Sequence, residues 1–373
     1  MFLAWRNLIH DKVRLAVTLT GIVFAIVLIV VQFGLFLGFQ DTSANMIEHS
    51  NADLWIKARG IPHLNGGTPF PESKLYKVLS VPGVATAQKY LVTFVNWKLP
   101  DGGQEAAQIV GFDLESQLGG PWNITQGSVA HLHSADTVIV DELYAKKLGV
   151  TGLGHATEIN GRRARVVGFT RGIRSFTTAP YIFTSFKNSQ DYAGFAENQT
   201  AFLLVKATPG TDVSGLKQEL QRRVKDVDLY TNAEFLAKTR RYWVLETGAG
   251  ITTLIGAFLG LIVGIVVVAQ TIYAATVDHL REFGTLKAMG ASNGFIYSVI
   301  IQQAFLSAAM GYSIAIVISL FIARGSESGD ALIRLPWQVA AGMFGVAVLM
   351  CSGASILSIR KATTIDPAMV FKG

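Results

Sequence analysis

The chain has 373 residues, carries 32 Lys and Arg against 26 Asp and Glu for a formal charge of +6, and is half hydrophobic. A mean hydropathy of +0.38 is too high for a simple soluble protein, and the basic residues are scattered, not gathered into the stripe that a nucleic-acid partner requires. The single cysteine, Cys351, excludes an intrachain disulfide, so any domain outside a membrane must be held by its own packing.

Residues 1–14 mix Phe2, Leu3, Trp5, Leu8, Ile9 and Val13 with Arg6, His10, Asp11, Lys12 and Arg14. That pattern reads either as a cytoplasmic helix lying in the head-group layer, with Trp5 at the interface, or as a frayed start to the following span. Residues 15–39 form the first of four long uncharged stretches; the others are 247–277, 295–323 and 336–359. Each is long enough to cross a bilayer as a helix. The first has a basic start like a signal peptide, but its apolar run is much longer than such a segment needs, and no Ala-x-Ala-like site closes it. It reads as an uncleaved signal anchor.

Residues 40–246 are of mixed polarity and predict a large mixed α/β domain. Strand-like runs rich in Val, Ile, Phe and Thr lie at 53–57, 90–97, 106–110, 137–140, 163–169, 181–183 and 202–206. Helical patterns lie at 71–79, 141–148 and 213–224. Residues 40–50 continue the first span without a proline, and 233–246 lead into the second without an evident breaker, so both spans are expected to extend outward as a helical stalk. His131-x-His133 is too small a set for a zinc site, which takes three or four ligands, and no Ser-His-Asp arrangement is identifiable from spacing.

The second span carries Gly256, Gly260 and Gly264 on one face. Glycines four apart let helices approach closely in a membrane, which suits either packing within one four-helix bundle or a dimer seam. Gln32, Gln270, Gln302 and Gln303 are polar positions in apolar helices and are expected to face other helices. No Asp, Glu, Lys or Arg lies deep in any span, which argues against an ion-coupled transporter.

Arg6, Lys12 and Arg14 precede the first span, Arg281 and Lys287 sit in the 278–294 connector, and Arg360, Lys361 and Lys372 lie in the 360–373 tail. Positive-inside bias therefore puts both termini and the 278–294 loop in the cytoplasm and the large domain outside. The short 324–335 connector, also outside, has Arg324 and Arg334 against Glu327 and Asp330.

The 278–294 loop contains Arg281-Glu282-Phe283-Gly284-Thr285-Leu286-Lys287-Ala288-Met289-Gly290, an amphipathic helical pattern ended by glycine. This sequence between two membrane spans resembles the coupling loop of FtsX/MacB-type (type VII) ABC transporter permeases. The tail, with Arg360-Lys361-Ala362 and Asp366-Pro367-Ala368, looks like that family's tail. A narrower likeness, to the DevC-like branch, comes from the stretch around Lys146-Lys147-Leu148-Gly149, Asn160-Gly161-Arg162-Arg163 and Thr170-Arg171-Gly172-Ile173-Arg174-Ser175-Phe176.

The resemblance implies a homodimeric inner-membrane permease of a bacterium, with its large domain periplasmic. Arg281, Glu282, Phe283, Gly284, Leu286, Lys287, Met289 and Gly290 would dock on a separate ABC ATPase subunit that binds ATP and Mg. It implies a second copy of the chain, membrane lipid, a HlyD-like adaptor and a TolC-like outer-membrane channel as partners. Arg171, Arg174 and Phe176 would either contact an anionic head group or adaptor carboxylate, or form a solvated turn. Independently of the resemblance, the dipeptide Gly-Lys never occurs, so the chain has no Gly-x-x-x-x-Gly-Lys-Ser/Thr phosphate loop. No cofactor is therefore expected on this chain, and no enzymatic activity of its own. Two other roles fit the same architecture: an FtsX-like scaffold controlling a periplasmic cell-wall hydrolase, and a heme-exporting permease.

Overall fold

The computed structural model describes residues 12–278, 284–285, 287, 289–329 and 331–363. The chain divides into two compact units, residues 39–249 and a helical unit made of the segments on either side. Among the described residues four helices are long and apolar enough to cross a membrane. The first, α1 (Lys12–Ser43), precedes a large mixed α/β domain; the other three follow it. The chain thus has the build of a multi-pass inner-membrane protein with a large domain outside the bilayer.

In the domain, a short helix α2 (Asn45–Glu48) leads to β1 (Leu54–Lys57), β2 (Phe70–Pro71), α3 (Lys74–Leu79), β3 (Val84–Lys98), β4 (Gln104–Phe112), β5 (Ile124–Gln126) and β6 (Thr137–Asp141). There follow β7 (Ala156–Ile159), β8 (Arg162–Thr170), β9 (Tyr181–Ser185), α4 (Phe186–Ala193), β10 (Gln199–Thr200), β11 (Phe202–Ala207), α5 (Val213–Arg223), β12 (Asp228–Thr231) and α6 (Asn232–Arg241). Ten strands make one sheet in the order β12-β1-β11-β3-β4-β9-β6-β8-β5, with β7 pairing β3 and β8. Most neighbours are antiparallel, but β4 with β9 and β6 with β8 run parallel. All five residues of β6 (Thr-Val-Ile-Val-Asp) are buried, as expected of a central strand covered on both faces.

Helices α4, α5 and α6 begin where side chains satisfy free backbone donors. Asp212 accepts from the Ser214 and Gly215 amides and starts α5, whose Leu216 and Leu220 face the core one turn apart. Thr231 and Glu234 form a reciprocal capping box at the start of α6. Asp141 behaves differently from the 141–148 expectation. Its carboxylate accepts from the Leu143 amide, the Thr170 hydroxyl and the Ile173 amide, and only one 3-10 turn, Glu142–Tyr144, follows it.

The stretch at 233–246 also departs from an unbroken helix. After α6 the chain makes a π-helical turn, Tyr242–Glu246, and Gly248 takes a φ of +75° before α7 (Ala249–Asp278) begins. Left-handed backbone ends a helix, and glycine adopts it without a Cβ penalty.

The remaining helices of the membrane unit are α8 (Asn293–Ser326) and α9 (Trp337–Thr363). Its buried core is small-residue rich: Ala25, Ala304, Ala308, Ala315, Ala347, Cys351 and Ala354 pack with Ile22, Ile26, Val30 and Met350.

Candidate functional site

Of the eight residues of the expected coupling loop, Arg281, Glu282, Phe283 and Leu286 lie outside the described residues, as do residues 1–11 and 364–373. The described part is a helical end. Met289 N donates to Thr285 O at 3.0 Å, Gly290 N to Lys287 O at 2.9 Å, and Gly290 has a φ of +93°. Ser292 then accepts from the Phe295 amide and caps α8. A turn ended by glycine and restarted by a serine cap thus separates the loop from α8 within three residues. Gly284 is buried, whereas Met289 is 72% exposed; a flexible thioether so placed suits contact with another surface.

The glycine face of α7 lies on α1. A Cβ at Gly256 would stand 2.9 Å from the Gln32 side chain, at Gly260 3.2 Å from Leu28, and at Gly264 2.6 Å from Ala25 and 2.7 Å from the Met350 sulfur. A similar approach joins α1 to α8, where a Cβ at Gly311 would overlap Ile22. These contacts need no polar glue, since close backbone approach is itself the favourable term in lipid. The opposite side of α7, including Ile255, Phe258, Leu259 and Val266, is exposed.

In the domain, the loop after β8 carries Arg171, Arg174 and Phe176 to three different environments. Arg171 is exposed and its Nε donates to Glu142 at 2.9 Å. The Thr125 hydroxyl, at 2.6 Å, and then Arg171 hold the Glu142 carboxyl below its ordinary range. Arg174 is buried at 7% exposure, and its carbonyl accepts from Asn45 Nδ2 at 2.7 Å. Phe176 packs on Phe39 and Trp243, with ring centroids 5.4 and 4.4 Å away. The loop itself is tied down through Gln108, whose Nε2 donates to Ser175 and Thr177 at 2.9 Å and whose Oε1 accepts from Asn65.

Sequence reasoning did not find the group around Phe176. His63 sits over Tyr242 and Trp243, with centroids 4.6 and 5.0 Å apart. Burial, and then nearby Lys57, lower its pKa. The π turn therefore forms part of an aromatic cluster drawn from four separate chain segments. Two buried polar atoms there, His63 Nδ1 and Trp243 Nε1, have no hydrogen-bond partner. The residues are too far apart in sequence to share a motif; the one local signal was the Tyr242-Trp243 pair itself.

Among the described residues no group of three His, Cys, Asp or Glu is placed to hold a metal. Residues 15–223 match the MacB-like periplasmic core domain and residues 254–367 the FtsX-like permease C-terminal family. Over the full chain it is 22% identical to an uncharacterized ABC transporter permease of Mycobacterium tuberculosis, of which it covers 99%. It is 21% identical to one from Methanocaldococcus jannaschii over 99% of this chain and 96% of that one. A pyoverdine export ATP-binding/permease protein of Pseudomonas aeruginosa is 22% identical over 98% of this chain and 57% of its own length.

Proposed function

The chain belongs to the FtsX/MacB-type family of ABC transporter permeases, and we propose that it is the membrane subunit of an ATP-driven exporter that works by mechanotransmission. The observation that carries this reading is the architecture itself. One span, a MacB-like domain and an FtsX-like set of three spans follow in order along the same polypeptide. These 373 residues contain no phosphate loop, and in this reading ATP hydrolysis belongs to a partner ABC ATPase, which would carry ATP and Mg.

In this scheme two copies of the chain pair with two ATPase subunits. Closure of the ATPase dimer pushes on the 278–294 loop of each copy. Glu282 and Lys287 make charged contacts to the ATPase, Phe283, Leu286 and Met289 fill its groove, and Gly284 and Gly290 allow close approach. The helices shift between two packed arrangements biased by ATP, and the domains outside move with them. Cargo, of which a lipid or glycolipid is our leading class, passes from the periplasm or outer leaflet into an outer-membrane channel through a HlyD-like adaptor, as in a DevC-like system. Arg171, which is exposed, is the member of the domain trio suited to an adaptor carboxylate.

Mass spectrometry of proteins that co-purify with the chain after gentle solubilisation tests this. An ATPase together with a membrane-fusion adaptor supports the exporter. A cell-wall hydrolase with the ATPase, and no adaptor, replaces it with the signalling scaffold. Glu282→Lys is expected to uncouple ATP hydrolysis from export while leaving the chain inserted; wild-type export at equal abundance counts against the docking assignment.

A further inference from the structure

Within the extramembranous domain, α3 and α5 lie side by side on one face of the sheet. Val78 of α3 and Leu216 and Leu220 of α5 are buried in one cluster with Leu54, Ile56 and Leu203 of the strands beneath. Lys74 Nζ also donates to the Lys225 carbonyl, just past the end of α5. The outward sides of the two helices therefore form one surface.

Its charge is lopsided. Residues 57–59, 72–89 and 212–234, which make this layer and the strand ends beside it, hold nine Lys and Arg against six Asp and Glu, and all of them are described. Each carboxylate is already engaged. Glu72 pairs with Lys89 at 2.8 Å, Asp226 with Arg59 at 3.6 Å, Asp228 with Lys57 at 3.2 Å and Glu234 with Lys217 at 2.6 Å. Asp212 caps α5, and Glu219 is shared by Arg222 at 3.4 Å and Arg223 at 2.7 Å. Lys74 donates to a carbonyl, while Lys77 and Lys225 are exposed and pair with no carboxylate among the described residues.

Large apolar groups stand beside these cations. Tyr76 is 69% exposed and Leu79 45%; three residues apart, they share one side of α3, while Val78 of the same short helix is buried. An aromatic and an aliphatic side chain edged by basic groups have the make-up of a protein-binding surface. The apolar centre supplies affinity, and the charged edge sets orientation and on-rate. A second copy of the chain does not suit this surface, because its surplus of like charge would face itself across a two-fold axis.

We propose that the α3–α5 face docks an acidic segment of a partner protein, which sets carboxylates against Lys74, Lys77 and Lys225 and an apolar side chain against Tyr76 and Leu79. The surface lies wholly within the extramembranous domain and serves an exporter or a signalling scaffold equally.

The test uses the full chain in phosphatidylcholine nanodiscs and a fluorescein-labelled random copolymer of glutamate and tyrosine, with labelled polyglutamate and heparin for comparison. Anisotropy should show saturable binding of the copolymer that weakens as salt rises and is tighter than that of polyglutamate. Lys77→Glu with Lys225→Glu should weaken copolymer binding about tenfold. Tyr76→Ser with Leu79→Ser should weaken it about fivefold and leave polyglutamate binding unchanged, a split that misfolding would not produce. The proposal is overturned by wild-type affinity in the charge-reversed variant, by equal binding of the two polypeptides to the wild type, or by no saturable binding. Heparin bound as tightly as the copolymer, and as sensitive to both variants, assigns the surface to a polysaccharide instead. A dimer that dissociates in the charge-reversed variant, measured by mass photometry, assigns it to a second copy; either result overturns the proposal.

Discussion

In the extramembranous domain the fully buried side chains are large: Trp55, Trp97, Tyr90, Tyr144, Phe112, Phe183, Phe202 and Phe235. Trp55 alone meets Tyr90, Phe202 and Phe235 at ring centroid distances of 5.6, 5.9 and 5.2 Å. In the membrane helices the order is inverted. Ala, Gly, Ser and Cys share the inside with Ile, Val and Met but with no aromatic ring among the fully buried described residues, while Phe24, Phe258, Phe321 and Leu349 point outward. Water drives large apolar groups inward because their area is what the solvent rejects. Lipid rejects nothing of the kind, so a buried position there rewards only closeness. The two regions use one chemistry of side chains with opposite rules of placement.

The largest expected effect is on the water side. Trp97→Ala removes a fully buried ring and strands the Leu148 carbonyl that its Nε1 donates to at 2.9 Å. A loss of about 3–5 kcal/mol should appear as rapid cleavage of the domain when the full chain is pulse-proteolysed in detergent. A wild-type cleavage profile would break the comparison at its root.

On the lipid side the sensitive direction is reversed, so adding volume should hurt. Gly264→Leu forces Ala25 and Met350 apart and is expected to cost about 1–3 kcal/mol. SDS titration of the bicelle-reconstituted protein measures it. The paired control is Phe321→Ala, a large truncation at a site 70% exposed, with an expected change below about 0.5 kcal/mol. Had α8 been built like the domain, that truncation would cost as much as Trp97→Ala.

The smallest effect sharpens the polar side of the contrast. Glu142 titrates below its ordinary 4.5 because of Thr125 and then Arg171. A folded pKa below the unfolded one gives stability that is present above that ordinary value and lost as pH falls through the folded pKa. The carboxylate is partly solvated, so the contribution is under about 1 kcal/mol. Arg171→Ala should reduce the proteolytic stability lost between neutral pH and about pH 3.5. Burial of neutral His63 destabilises on the same acid limb, so the difference between wild type and variant isolates the Glu142 part.

Much of this was readable in the chain because each signal was local. Four membrane-length apolar helices, one before the domain and three after it, are found as expected, since twenty apolar residues in a row admit few other readings. The seven strand-like runs all fall on strands, from β1 to β11, because alternating Val, Ile and Phe is the same signal over short range. The two-residue pairings β2 and β10 and the three-residue β5 are too short to carry a detectable period and lie outside the expected runs. Those runs also miss β7, although Asn160-Gly161 after it is a strong hairpin signal, and the polar strand β12. The environments of the candidate residues were not legible in the sequence. Arg171 and Arg174 look alike as letters, and only tertiary contacts expose the first and bury the second. The cluster of Phe39, His63, Phe176 and Trp243 had no local trace, because its members meet only after the sheet closes.

Strand β1 has its own timetable. Its neighbours on both sides, β11 and β12, come from residues 202–231, and Asn232 seals the start of the domain with bonds to the Ile47 and Ala52 carbonyls at 2.9 and 3.0 Å. During synthesis at 5–20 residues per second, β1 therefore waits roughly ten to thirty seconds for any partner. Throughout that interval Leu54-Trp55-Ile56 has both strand edges open beside an already emerging apolar α1. An unpaired strand edge is a template for pairing with other chains, so the late arrival of β11 and β12 makes the protection of β1 a problem of synthesis and not of the finished sheet.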